Sequence, residues 1–103
     1  MTTPLTPTAQ ADARFHLHPY THLRQLEQDG PLVITHGDGV YVIDEQGNRY
    51  LEGMAGLWCA SLGFSDKRLA DAAHRQMLQL PYYHAFSGKV PGPVTDLVQA
   101  LTQ

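Results

Sequence analysis

Three short β-prone runs separated by two glycine-containing turns most constrain what this chain of 103 residues can fold into. The runs are residues 32–35, 40–43 and 49–52, and the turns between them are residues 36–39 and 44–48. Connections this short join antiparallel neighbours, because a parallel pair needs a much longer crossover. The sequence therefore predicts a three-stranded antiparallel meander.

Helical patterns flank the predicted sheet on both sides. Before it, Thr21 can cap a short helix that Gly30 would end. After it, Ser65 can cap a longer helix over residues 66–80, where apolar residues recur at helical spacing. A last amphipathic helix begins at Pro93 and reaches the end of the sequence without a capping residue, as if it were cut off.

The remaining stretch, residues 1–13, is rich in Thr, Pro, Ala and Gln, which predicts a disordered N-terminal lead. Residues 14–103 then form a single α+β segment, since a chain of this length is one domain at most. The expected order is an N-terminal arm, a short helix, the three-stranded antiparallel meander and two helices.

Composition argues against several classes of function. Seven Lys and Arg residues against ten Asp and Glu residues give a net charge of −3, and the basic residues do not cluster. Nucleic acids and anionic membranes bind clustered positive charge, so neither is an expected partner. The chain has one Cys, no long apolar run and no apolar region near its start, which disfavours disulfides, membrane spans and secretion. We therefore expect a cytoplasmic protein.

The only Trp and the only Cys of the chain are neighbours, Trp58 and Cys59, and they follow Gly53 and Gly56 closely. Glycine lets the backbone turn sharply and take positive φ. Such a turn would hold the indole at a fixed place, either as a pocket wall or as a core residue. Most other aromatic residues also lie in loops beside Gly and Pro, and the same two interpretations remain open for them.

The residues with recognisable chemistry are weak candidates for a site by pattern alone. His16, His18 and His22 could bind zinc, but Pro19 interrupts the series and no Cys or carboxylate stands at a matching spacing. We therefore expect no metal site, and place these histidines on the surface or along a pocket.

Neither lysine of the chain is a good candidate for a Schiff base. Lys67 opens a polar helix end and Lys89 lies in a Gly- and Pro-rich loop, whereas a Schiff-base lysine usually needs a desolvated pocket or cationic neighbours. We expect Cys59 to serve packing, because no neighbouring charge would activate it.

Five motifs follow one another with the order and spacing of a known family. They are His18-Pro19-Tyr20, Gly39-Val40-Tyr41-Val42, Gly53-Met54-Ala55-Gly56-Leu57-Trp58-Cys59, Leu62-Gly63-Phe64 and Leu80-Pro81-Tyr82-Tyr83. Together they resemble the N-terminal part of class III aminotransferases, which are pyridoxal-phosphate enzymes of fold type I. The branch acting on ω-amino acids or amines with pyruvate is the most similar. The resemblance covers residues 14–103, which would be the N-terminal part of the small domain.

The resemblance implies substrate-binding roles for four residues. Leu57 and Trp58 would contact the substrate, Tyr20 would lie at the pocket mouth, and Phe86 would reach the active site of a neighbouring subunit. It also implies a homodimer, an amine and a keto acid as small-molecule partners, and pyridoxal 5′-phosphate as cofactor. The implied reaction moves an amino group from an amine or ω-amino acid to a keto acid such as pyruvate.

In this family the phosphate-binding loop, the Asp that pairs with the pyridine nitrogen, the Schiff-base Lys and the carboxylate-binding Arg would all follow Gln103. The resemblance thus implies a truncated segment that neither binds the cofactor nor is active alone, with no catalytic, cofactor-binding or metal-binding residue of its own. One alternative is the diaminopelargonic-acid-forming branch, although Leu57-Trp58-Cys59 stands where that branch tends to have paired tryptophans. The other alternative is a free-standing binding module that docks a partner through an aromatic patch.

Overall fold

In the computed structural model, which describes residues 4–103, five helices accompany one three-stranded sheet. The elements are α1 (Pro7–Phe15), α2 (Leu23–Asp29), β1 (Ile34–Asp38), β2 (Tyr41–Asp44), β3 (Arg49–Leu51), α3 (Ala55–Trp58), α4 (Lys67–Gln79) and α5 (Gly92–Thr102). This order confirms the predicted α+β arrangement and adds two helices that the sequence did not predict, α1 and α3. The chain divides into two compact units, one ending at Ser65 and the other beginning at Asp66.

Residues 7–13 lie in helix α1, so the expectation of a disordered lead does not hold for them. The hydroxyl oxygen of Thr6 caps the helix by accepting a hydrogen bond from the Ala9 N–H (3.2 Å). Pro7 at the first turn loses no hydrogen bond, and three alanines follow it within the helix. A composition rich in Thr, Pro and Ala therefore also fits a capped helix. Residues 1–3 of the predicted lead lie outside the described residues.

The sheet is the predicted meander, with β2 as its central strand. β2 pairs antiparallel with β1, where His36 stands opposite Ile43, and with β3, where Val42 stands opposite Tyr50. β1 extends to Asp38, beyond its predicted end, because the connection to β2 is only two residues long. Gly39 in this connection has a φ of +60°, which the favoured two-residue hairpin turns require.

Asp44 at the end of β2 is 2% exposed and organises the second turn. Its Oδ1 accepts hydrogen bonds from the backbone N–H groups of Gln46 (2.9 Å) and Asn48 (2.8 Å). Its Oδ2 accepts from the side chains of Asn48 and Tyr50, both at 2.9 Å. The side-chain bond from Asn48 is the main cause that holds the pKa of Asp44 below its ordinary value of 3.8, although desolvation raises it.

Two helices begin one residue later than the sequence predicts. His22, rather than Thr21, caps α2, and its Nδ1 accepts a hydrogen bond from the Gln25 N–H (3.3 Å). Asp66, rather than Ser65, caps α4 with its carboxylate. The Ser65 hydroxyl accepts a bond from the β1–β2 turn instead, so a tertiary contact replaces the local cap that the sequence favours.

The segment before α4 packs tightly against the hairpin formed by β1 and β2. The Phe64 N–H donates to the Gly39 carbonyl (2.8 Å), and the Gly39 N–H donates to the Ser65 hydroxyl oxygen (2.8 Å). A Cβ on Gly37 would lie only 2.2 Å from the Cβ of Phe64. Glycine is therefore required at position 37 for this close approach.

Most apolar side chains of the chain are solvent-exposed. Among the described residues, Ala9 and Ile43 are the buried apolar side chains. The apolar stripe of α5 is 42–76% exposed and consists of Val94, Leu97, Val98 and Leu101. None of the helices in the described part of the chain is long and apolar enough to cross a membrane.

Candidate functional site

Trp58 lies in α3, a single turn in which four consecutive residues have left-handed backbone conformations. The φ angles are +50° at Ala55, +61° at Gly56, +64° at Leu57 and +67° at Trp58. A left-handed helical conformation costs roughly 1–2 kcal/mol for each residue that is not glycine. Three such residues in one turn therefore need support from their surroundings, and strain of this kind concentrates at functional sites.

Backbone hydrogen bonds close the left-handed turn. The Trp58 N–H donates to the Met54 carbonyl (3.0 Å), and the Cys59 N–H donates to the Ala55 carbonyl (2.9 Å). The thiol of Cys59 donates to the Gly56 carbonyl (2.7 Å). Cys59 is exposed, so it serves this local contact rather than the packing that we expected from the sequence.

The carboxylate of Glu52 binds the same turn from its N-terminal side. Its Oε1 accepts a hydrogen bond from the Met54 N–H (2.9 Å), and its Oε2 accepts one from the Gly56 N–H (2.6 Å). Bonds from N–H groups to a carboxylate are about twice as strong as those to neutral acceptors. Glu52 was not predicted as a site residue, although its place two and four residues before these amides was the available signal.

Both its positive φ and its close neighbours favour glycine at position 56, within the turn. A Cβ at this position would lie 3.1 Å from the sulfur of Cys59 and 3.3 Å from the ring of Phe64. Phe64 also packs against Gly37 in β1. Phe64 thus connects the two elements, with its ring at the Trp58 turn and its backbone and Cβ at the sheet.

The four residues predicted to bind substrate all lie on the surface of this chain. Leu57 and Trp58 share the left-handed turn, and the Trp58 side chain is 85% exposed. Tyr20 is exposed in the loop between α1 and α2 and has a φ of +50°. Phe86 is exposed in the loop between α4 and α5. The structure therefore brings Leu57 and Trp58 together and places Tyr20 and Phe86 on separate loops.

Phe86 belongs to a short ladder of stacked rings. The His84 ring stacks on Phe86 with centroids 4.4 Å apart, and Tyr83 stacks on the other side of His84, also at 4.4 Å. Ser87 and Gly88 follow with positive φ angles and turn the chain sharply. The ladder orients an otherwise exposed Phe86 ring, and no sequence pattern indicated that His84 would take part in it.

A carboxylate joins two of the three histidines considered for metal binding. Oδ1 of Asp12 lies 2.8 Å from Nδ1 of His16, and Oδ2 lies 2.6 Å from Nε2 of His18. These contacts hold the pKa of Asp12 below 3.8, the bond to His16 being the larger cause. The expectation that no carboxylate accompanies these histidines was wrong, because Asp12 lies on the unpredicted helix α1. Both of its oxygens already bind imidazoles, so the cluster fastens the end of α1 to the following loop.

The family model of class III aminotransferases matches residues 24–103. This chain belongs to the class III aminotransferase family. It is 43% identical over 86 residues to a putrescine–pyruvate aminotransferase of Pseudomonas aeruginosa, covering 84% of this chain and 19% of that protein. These matches confirm the resemblance found in the motifs.

Solved ω-transaminases have the same fold over this segment. A thermostable 4-fold mutant from Pseudomonas jessenii superposes with a TM-score of 0.83 and is 47% identical, covering 93% of this chain and 21% of that one. A W58G variant of a thermostable ω-transaminase was engineered for asymmetric synthesis of enantiopure bulky amines. It superposes with a TM-score of 0.82 and is 46% identical, covering 91% of this chain and 21% of that one. This class III aminotransferase chain therefore spans about one fifth of the length of the relatives it matches.

The two lysines of the chain do not fit a Schiff base with pyridoxal phosphate, the cofactor that the family implies. The Nζ atom of Lys67 donates to both carboxylate oxygens of Asp71, at 2.8 and 2.6 Å, and its side chain is 82% exposed. Lys89 lies in an exposed loop. Neither amine has the desolvated surroundings that favour a Schiff base.

Proposed function

We propose that this chain is the N-terminal segment of an ω-transaminase, which moves an amino group from an amine or ω-amino acid to a keto acid such as pyruvate. The family match, the putrescine–pyruvate relative and the shared fold with ω-transaminases support this proposal. In that enzyme the segment recognises the amine, and the cofactor is bound by other parts of the protein.

The observation that carries the proposal is the Trp58 turn. A large, exposed indole on a backbone held in a costly conformation is placed to meet a partner rather than to fill the core of this segment. The ω-transaminase variant engineered for bulky amines replaces a tryptophan of the same number with glycine. We take that tryptophan as the counterpart of Trp58, which makes the indole a wall that limits substrate size.

We further propose that the other three candidates complete the recognition surface in a homodimer. Leu57 adds an apolar contact beside the indole, and Tyr20 borders the mouth of the pocket. Phe86, held by its stack on His84, extends into the active site of the second subunit. The exposure of all four side chains in this chain is consistent with surfaces that are covered only in the assembled enzyme.

A fused enzyme tests the proposed function. Residues 1–103 of this chain would replace the matching N-terminal segment of the Pseudomonas jessenii ω-transaminase, and alanine formation from isopropylamine and pyruvate would be measured. We expect transfer by the fused enzyme, and none by the isolated chain or by the P. jessenii protein without its N-terminal segment.

The unmodified P. jessenii enzyme is the positive control for the assay. A fused enzyme that folds as a dimer but does not transfer amino groups would contradict the proposal. So would a borohydride-stable adduct of pyridoxal phosphate on one defined lysine of the isolated chain, because that chain would then hold the cofactor by itself.

A further inference from the structure

Glu52 connects the sheet to the Trp58 turn. Its backbone N–H donates to the Val40 carbonyl (3.0 Å), so its main chain is tied to the β1–β2 hairpin just beyond the end of β3. Its half-buried side chain accepts the N–H groups of Met54 and Gly56. Glu52 is therefore hydrogen-bonded to the sheet through its backbone and to the left-handed turn through its carboxylate.

In the observed geometry the two side-chain bonds use both oxygens of the carboxylate. Met54 and Gly56 each present an N–H, and each uses a different oxygen of Glu52. A glutamine in the same placement would present its NH₂ group, a donor, to one of the two N–H groups. Replacing Glu52 with Gln thus removes one bond and the negative charge while keeping the size of the side chain.

Asp44 shows that a carboxylate on a shorter side chain can bind two amides at the same sequence spacing. Its Oδ1 alone accepts the N–H groups two and four residues ahead, at Gln46 (2.9 Å) and Asn48 (2.8 Å), whereas Glu52 accepts those of Met54 and Gly56 on its two oxygens. The same spacing therefore organises two different turns of this chain. An Asp at position 52 is expected to retain the function of Glu52.

We propose that Glu52 is a positioning residue for substrate selection, which fixes the left-handed turn and thereby the direction in which Leu57 and Trp58 point. The proposal rests on the proposed function, in which these two side chains contact the amine. Relaxation of the turn would free φ at Ala55, Leu57 and Trp58 to return to the ordinary negative region. The indole would then leave the place where it limits the size of the substrate.

The test compares Glu52→Gln and Glu52→Asp in the fused enzyme, with Glu27→Gln as a matched control. Glu27 is exposed on α2, so its substitution changes the charge equally at a distant point of the sequence. The readouts are kcat and KM for isopropylamine and for diphenylmethylamine, and the φ angles of α3 in crystal structures. We expect Glu52→Gln to shift the ratio of the two kcat/KM values at least about tenfold and to release the turn. Glu52→Asp and Glu27→Gln should leave the ratio of the two kcat/KM values and the conformation of the turn unchanged.

A Glu52→Gln enzyme that keeps its left-handed turn and its substrate ratio would overturn the positioning role. A released turn with an unchanged ratio would uphold that role and contradict the proposed substrate contact of α3 instead. If Glu52→Gln does not fold, Glu52→Asp decides, because a tenfold change of the ratio in that variant would overturn the inference.

Discussion

Replacement of Trp58 with glycine in the fused enzyme is expected to increase kcat/KM for diphenylmethylamine relative to isopropylamine by about 10–200-fold, the range of discrimination that an apolar pocket achieves. The indole is 85% exposed in this chain, so its removal opens space at a surface rather than a cavity in the core. The absolute kcat/KM for isopropylamine should fall, because a slim amine loses the wall that orients it. The measurement is steady-state kinetics with both amines at saturating pyruvate.

The competing interpretation is that Trp58 is a structural residue in the assembled enzyme. Truncation would then lower stability by about 3–5 kcal/mol without changing the ratio of the two amines. Thermal unfolding of the same preparations separates the two interpretations. Trp58→Phe is the control, because a smaller flat ring keeps part of the wall and should give an intermediate ratio. A collapsed melting temperature with an unchanged ratio would remove Trp58 from the site.

The isolated chain is expected to self-associate and to lack a cooperative thermal transition. Its described part buries few apolar side chains, and 26 large apolar or aromatic residues are exposed. Monomeric proteins rarely leave so much apolar surface in contact with water. β1 and β3 each have an open edge in the three-stranded sheet, which adds a second route to association. Sedimentation velocity and circular dichroism during heating test this expectation.

A variant that makes α5 more polar provides the comparison. Leu97→Gln with Leu101→Gln removes two exposed apolar side chains from its stripe and should decrease association. Ala100→Gln in the same helix is the matched control and should leave association unchanged. A monomeric wild-type chain with a two-state melt and dispersed amide signals would contradict the expectation, and would favour a free-standing binding module.

The meander was predictable because short glycine-containing turns leave few alternatives for three short strands. Helix α1 was not, since Thr, Pro and Ala near a chain start are equally typical of disorder and of a capped helix. The caps at His22 and Asp66 were not predictable, because each lies beside a second residue that can cap a helix, Thr21 or Ser65. At Asp66 the choice also depends on the tertiary bond that Ser65 makes to Gly39.

The sharp turn around Trp58 was predictable, and its left-handed conformation was not. The motif around Trp58 identified a sharp turn, and Gly56 indicated one residue with positive φ. The left-handed conformation of Ala55, Leu57 and Trp58 could not be inferred, because it runs against the preference of each residue. It depends on bonds from Glu52 and on contacts of Phe64, which only the folded chain brings to the turn.

The most direct test of the central claim is a crystal structure of the fused enzyme with a bound amine substrate analogue. We expect α3 to be left-handed there and the Trp58 indole to lie within about 4 Å of the side chain of the analogue, the distance of an apolar contact. An indole packed among protein side chains and separated from the analogue by other residues would contradict the assignment of Trp58 as the wall that sorts amines.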